Sequence, residues 1–86
     1  MFEAVEFIER PNQSDPAENA LGEFDKELDA VNAAREARKA FMDKGSKEYA
    51  WWVVRKPGAP LAQFISDSKS DKEFVLDLSS GELVEV

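Results

Sequence analysis

The run Tyr49-Ala50-Trp51-Trp52-Val53-Val54-Arg55 sets two tryptophans side by side, and no other feature constrains the chain as much. Neighbouring side chains on a strand point to opposite faces of a sheet. Both rings therefore cannot enter one core. A chain of 86 residues buries roughly 60% of the surface that its unfolded form exposes, enough for one modest core and no second domain. One ring is sealed inside and the other lies on the far face, as a covered packing residue or as the anchor of a contact with something else. Trp52 shares its face with Ala50 and Val54, which are wholly apolar, so it is the expected core ring. Trp51 keeps company with Tyr49, Val53 and Arg55, a mixed row, and Phe64 joins that row if the following segment returns as a strand.

A helix supplies the other layer. From about Asp29 to Asp43 the apolar positions Ala30, Ala33, Ala34, Ala37, Ala40 and Phe41 follow the spacing of one helical face. Asp25 and Asp29 are candidate N-caps, and Lys44-Gly45 fits the end. A face made of alanine lets a backbone approach closely, so the bulk must come from the sheet.

The remaining segments read as strands and turns. Residues 1 to 9 alternate imperfectly, with Phe2, Val5, Phe7 and Ile8 interrupted by glutamates. Residues 10 to 20, with Pro11 and Pro16, are expected to form a flexible loop, and Leu21-Gly22-Glu23-Phe24 is either an edge strand or a lead into the helix. Lys56-Pro57-Gly58-Ala59 fits a type II turn. Residues 61 to 66 fit a strand or a short helix, because Leu61, Phe64 and Ile65 satisfy both spacings. Phe74–Leu78 and Glu82–Val86 flank Ser79-Ser80-Gly81, a three-residue hairpin loop with glycine at the left-handed position. The expectation is a single α+β domain over residues 1–86, one main amphipathic helix on a small antiparallel sheet, in the order β-α-β-β-β-β.

Composition narrows the chemistry. The chain has neither cysteine nor histidine. That removes disulfides, the commonest zinc ligands and the Ser-His and Cys-His nucleophile pairs. An enzyme would rely on a carboxylate with a Lys or Tyr, for instance Asp67, Asp77 or Tyr49, and no spacing singles out such a set. Asp67 and Asp71 hold the first and fifth positions of a calcium loop, but no glycine follows at the sixth and Leu78 stands where an acid belongs. No phosphate loop or dinucleotide fingerprint occurs. No catalytic residue, metal or cofactor is therefore expected.

Net charge is −7 and segregated. Residues 1–30 hold nine acids and two bases, residues 31–60 three and seven, and residues 61–86 six and two. An acidic total disfavours non-specific contact with nucleic acid or anionic lipid. The basic cluster Arg35, Arg38 and Lys39 on the helix could meet phosphates, but neighbouring acids favour a solvated surface with ion pairs along the helix. The N-terminal acids could imitate nucleic acid, although ordinary solubility charge accounts for them. The acidic start lacks the basic flank of a secretory signal, and no apolar run approaches the roughly 20 residues of a membrane span. A cytoplasmic protein is expected.

The functional expectation is a non-enzymatic module that contacts another protein, or a second copy of itself, through Tyr49, Trp51, Val53, Arg55 and Phe64. The alternatives are a single-strand nucleic-acid binder, an acidic decoy or a small carboxylate-dependent enzyme.

Overall fold

The computed structural model describes residues 1–59 and 61–86. Strands β1 (Phe2–Glu9) and β2 (Ala17–Phe24) form a hairpin, helix α1 (Glu27–Asp43) follows, and β3 (Tyr49–Arg55), β4 (Ala62–Asp67), β5 (Glu73–Asp77) and β6 (Glu82–Glu85) complete the chain. They make one six-stranded sheet of order β2-β1-β3-β4-β5-β6. Every neighbouring pair is antiparallel. The helix lies across β1, β2 and β3. This is the expected α+β layer, and residues 62–67 supply a strand rather than a helix.

The N-terminal hairpin is larger than the sequence suggested. Strand β2 begins at Ala17, so the connection is shorter than the 10–20 stretch expected as a loop, and the segment at Leu21–Phe24 is the end of a full strand. A bulge hid it. Val5 pairs with Ala20 and Ala4 with Gly22, which leaves Leu21 as an extra residue. Ala17, Leu21 and Phe24 all lean on the core, at spacings of four and three that imitate a helix instead of the alternation of a strand.

The core lies between α1 and one sheet face. Ala30, Val31, Ala34 and Phe41 from the helix meet Ala4, Ile8, Ala50, Trp52, Val54 and Phe64 from β1, β3 and β4. Trp52 is fully buried, as its neighbours predicted. Its ring meets Phe41 edge-on at 5.5 Å, and its indole Nε1 donates to Glu6 Oε2 at 2.8 Å. Asn19 donates to the other oxygen of Glu6 at 3.1 Å, so the acid that satisfies the ring is itself held. The alanine face turns as expected at Ala30 and Ala34, while Ala37 is half-buried and Ala40 exposed. Neither aspartate caps the helix. Lys26 occupies the N-cap position without a side-chain bond, and Asp29 sits with Glu27 in the first turn, where negative charge favours the helix dipole.

One turn fits its sequence signal in full and another at its glycine alone. Ala59 N–H donates to the Lys56 carbonyl at 3.0 Å, closing the Pro57-Gly58 turn. The last hairpin has a four-residue turn, Leu78–Gly81, rather than three, and Leu78 is 87% exposed. Gly81 adopts the expected left-handed φ of 72°, and a Cβ built there meets nothing within 4 Å. Gly81→Ala should therefore cost only the backbone strain, about 1 kcal/mol in chemical denaturation, with the hairpin register intact. A loss several times larger would show that the turn carries contacts beyond its backbone. Gly22 differs: φ is 139°, and a Cβ there would lie 3.1 Å from the Phe24 ring.

Candidate protein-binding face

Side chains opposite each other in a ladder share a face, so the register assigns each candidate. On β3, Trp51 pairs with Phe7 of β1 and Asp67 of β4, while Val53 pairs with Val5 and Ile65. Ile65 pairs in turn with Phe74 of β5. These residues lie on the sheet face turned away from the helix, hereafter the outer face. Val5 and Val53 are buried there yet stand outside the cluster that α1 covers. Among the described residues, no helix or strand lies over the outer face.

Trp51 is the centre of an aromatic row. Its ring stacks on Phe7 with centroids 5.4 Å apart and planes 12° from parallel, and Tyr49 approaches it at 5.5 Å. All three are half-buried, as are Ile65, Phe74 and Leu76. Each stays in contact with solvent although it is as apolar as a core residue.

Phe64 does not belong to this row. It pairs directly with Val54, which puts it under the helix, and it is 1% exposed. The register shift between Val54 and Arg55 sets that parity: Arg55 pairs with Ala62, and the next paired residue is Phe64. The guanidinium of Arg35 on α1 lies 5.9 Å from its ring centroid.

Arg55 is on the outer face as expected, but it is not a free cation. Its Nε donates to Glu3 Oε1 at 2.7 Å, and its terminal nitrogen lies 3.6 Å from Glu18 Oε2. Glu3 is on β1 and Glu18 on β2, so the arginine arm reaches across β1 beside Val5, which is 1% exposed. The arm shields part of the apolar floor.

Asp67 and Tyr49 are brought together, and Asp77 is not. The phenol of Tyr49 donates to Asp67 Oδ2 at 3.3 Å. Burial pushes the phenol's pKa up, and the negative charge of Asp67 adds to the effect. The other oxygen of Asp67 accepts the backbone N–H groups of Lys69 and Ser70, both at 2.9 Å, which caps the turn after β4. Asp77 accepts from the backbone and hydroxyl of Ser79 in the last hairpin, and that hydroxyl bond holds its carboxyl below the usual range. An open dent of about 320 Å³ lies next to Tyr49, lined by Glu9, Arg10, Pro11, Lys47 and Glu48. Arg10 and Glu48 face each other across 3.7 Å within it. Among the described residues, no group of three or more acidic side chains is placed to hold a metal ion. No described helix is long and apolar enough to cross a membrane.

Within the basic helix cluster Arg35 and Arg38 are clamps to the sheet and its turn instead of ion pairs along the helix, while Lys39 is exposed. Arg35 holds Glu73 of β5 with two hydrogen bonds, at 2.8 and 2.9 Å. Arg38 donates to the carbonyls of Asp67 and Ser70 at 2.9 and 3.0 Å, and its contact with Asp71 is longer, 3.5 Å. The Arg35 bond lowers the pKa of Glu73 below the usual carboxylate range and raises that of Arg35. A carboxylate held low when folded adds stability above its unfolded pKa and loses it as pH falls through the folded one. Denaturant titrations at falling pH should show a shallower acid-side loss in Glu73→Gln than in the unaltered chain. Parallel curves would show that the pair contributes nothing. Both side chains are partly exposed, so the effect is small.

Val5, Phe7, Ile65 and Phe74 are outer-face residues that the sequence did not single out. The signal was present: Glu3, Val5 and Phe7 alternate on one side of β1, and Phe64 and Ile65 fall on opposite sides of β4. Only the register says which side is which. Comparison with known proteins returns no matching family model, no matching curated protein and no matching solved structure.

Proposed function

We propose that the chain is a non-catalytic protein-interaction module whose docking surface is the outer face, centred on Trp51. The observation that carries this reading is the stack of Phe7, Trp51 and Tyr49, half-exposed on a face that the helix does not cover. Aromatic residues that stay partly wet in the monomer and sit amid an apolar row are the kind of group that anchors a protein interface. The rival chemistries find less support. Single-strand binding needs a track of free cations beside the stacking rings, whereas Arg55 is engaged by two carboxylates and Lys69, 4.8 Å from the Tyr49 ring centroid, stands beside the row without a second such base. An enzyme needs an unengaged base, and the carboxylate of Asp67 serves a turn and a phenol. A decoy needs its acids on one ridge, and Glu6 lies under the helix while Glu3 lies on the outer face.

Two measurements test the reading. Light scattering over a concentration series reports self-association, and a display selection subtracted against Trp51→Ser reports binders of the outer face. Amide-shift mapping on labelled protein then locates the contact. Expected are shifts at Phe7, Val53 and Ile65, and an affinity loss in Trp51→Ala of about 30-fold, the size of a hot spot. A chain that stays monomeric and yields no Trp51-dependent binder overturns the reading. The aromatic row would then be a cover for the sheet and nothing more.

A further inference from the structure

The charge around the outer face points to the kind of surface that covers it, and this step rests on the reading just given. Glu18 pairs with Phe7 and Asp67 with Trp51, so the central ring pair has an acid beyond each end of its row. Glu23 pairs with Glu3 at one end of the face, and Glu85 pairs with Phe74 at the far side. On β1 and β3 themselves the cation on this face is Arg55, already engaged, and Lys69 from the turn after β4 places its ammonium 4.8 Å from the Tyr49 ring centroid. Glu18 and Glu85 face Arg55 and Lys72, yet their side chains remain 56% and 49% exposed. Among the described residues, Glu23 has no ion-pair partner. The outer face is an apolar centre inside a rim where acids outnumber bases, Glu3, Glu18, Glu23, Asp67 and Glu85 against Arg55, Lys69 and Lys72.

A second copy does not complement it. Two such faces brought together by a two-fold axis bring two acid-rich rims into contact, in a chain that already carries a net charge of −7. Pairing of sheet edges meets the same obstacle, since β2 carries Glu18 and Glu23 and β6 carries Glu82 and Glu85. The helix of a neighbouring copy offers bases but no continuous apolar centre: its exposed Leu28 and Met42 stand at opposite ends of α1, with Asn32, Glu36 and Lys39 between them, and Arg35 and Arg38 are tied to their own sheet. The geometry points to a different protein as the occupant, one that presents apolar side chains ringed by lysine or arginine. Its approach is steered by the rim, and its hold comes from the ring stack.

Three synthetic peptides test this, identical in their apolar residues and carrying lysine, glutamine or glutamate at the polar positions. Binding is read by amide shifts of the labelled full chain and by tryptophan emission, at about 20 mM and about 200 mM salt, which differ about threefold in screening length. The lysine probe should bind at least about tenfold more tightly than the glutamine probe at low salt, and lose about tenfold at high salt. Its shifts should centre on Trp51 and Phe7. The triple variant Glu18→Lys, Glu23→Lys, Glu85→Lys should reverse the preference in favour of the glutamate probe. Equal binding of the glutamine probe with the same shifts overturns the basic occupant and leaves the docking face standing. So does a concentration-dependent dimer that Trp51→Ser abolishes, for then the occupant is a second copy. Undiminished lysine-probe binding in folded Trp51→Ser overturns the inference as bulk charge attraction. If that variant does not fold, lysine-probe shifts scattered over the wild-type surface overturn it on the same ground. No probe shifts on the outer face, in a chain that stays monomeric, overturn both the occupant and the docking face.

Discussion

Trp52→Ala should lower stability by about 3 to 5 kcal/mol, and in a domain whose total is of order 5 to 15 kcal/mol the variant should be largely unfolded. The ring is fully buried, and its edge-on contact with Phe41 joins the helix to the sheet. Little bulk is at hand to refill that space, because two of the four buried helix residues in the same cluster are alanines, at 30 and 34. The adjacent ring is the control. Trp51→Ala removes a stacked partner of Phe7 from a half-exposed site, a loss of about 1 kcal/mol beyond its partial burial, and the variant should remain folded. Urea denaturation followed by far-ultraviolet circular dichroism compares the two. Greater destabilisation by Trp51→Ala than by Trp52→Ala would contradict the assignment of faces.

Phe64→Ala should cost a similar amount, about 3 to 5 kcal/mol, because the ring is 1% exposed between Val54 and the helix side of β5. This result distinguishes a core residue from an interface residue. Had Phe64 shared the outer face with Trp51, its loss would weaken a partner contact and spare the fold. A folded Phe64→Ala chain with near-native midpoint would reject the register of β3 against β4.

Trp52 was assignable to the core from sequence because Ala50 and Val54 repeat its character at a period of two. The same logic separated Trp51, Tyr49 and Arg55 to the other side. Phe64 was not assignable, because its face depends on one skipped position opposite the Val54/Arg55 bulge, and a single slip inverts every side chain. Strand β2 was obscured for a related reason, its Leu21 standing outside the alternation. The arginines of the helix could be placed on a solvent-facing side by periodicity, but Glu73 and the Asp67 carbonyl lie far away in sequence. Pairings at that separation have no local signature. The indole bond to Glu6 is another such case, a glutamate in a strand that looked like a lapse in the apolar pattern.

The reach of the helix has a consequence for how the chain breathes. Helix α1 lies over β1, β2 and β3, and beyond them the meander is tied back by Arg35 to Glu73 and by Arg38 to the turn after β4. Strand β6 pairs on one side only, and its Val84 is 40% exposed. Opening of the β5–β6 hairpin therefore breaks one ladder, a partly exposed ion pair and the contact of Val75 with the edge of the core, while the helix and β1 still cover Trp52. Amide hydrogens should exchange in a gradient, fastest in β6, slower in β5 and slowest in β3, so that this small sheet behaves as two cooperative units of unequal strength.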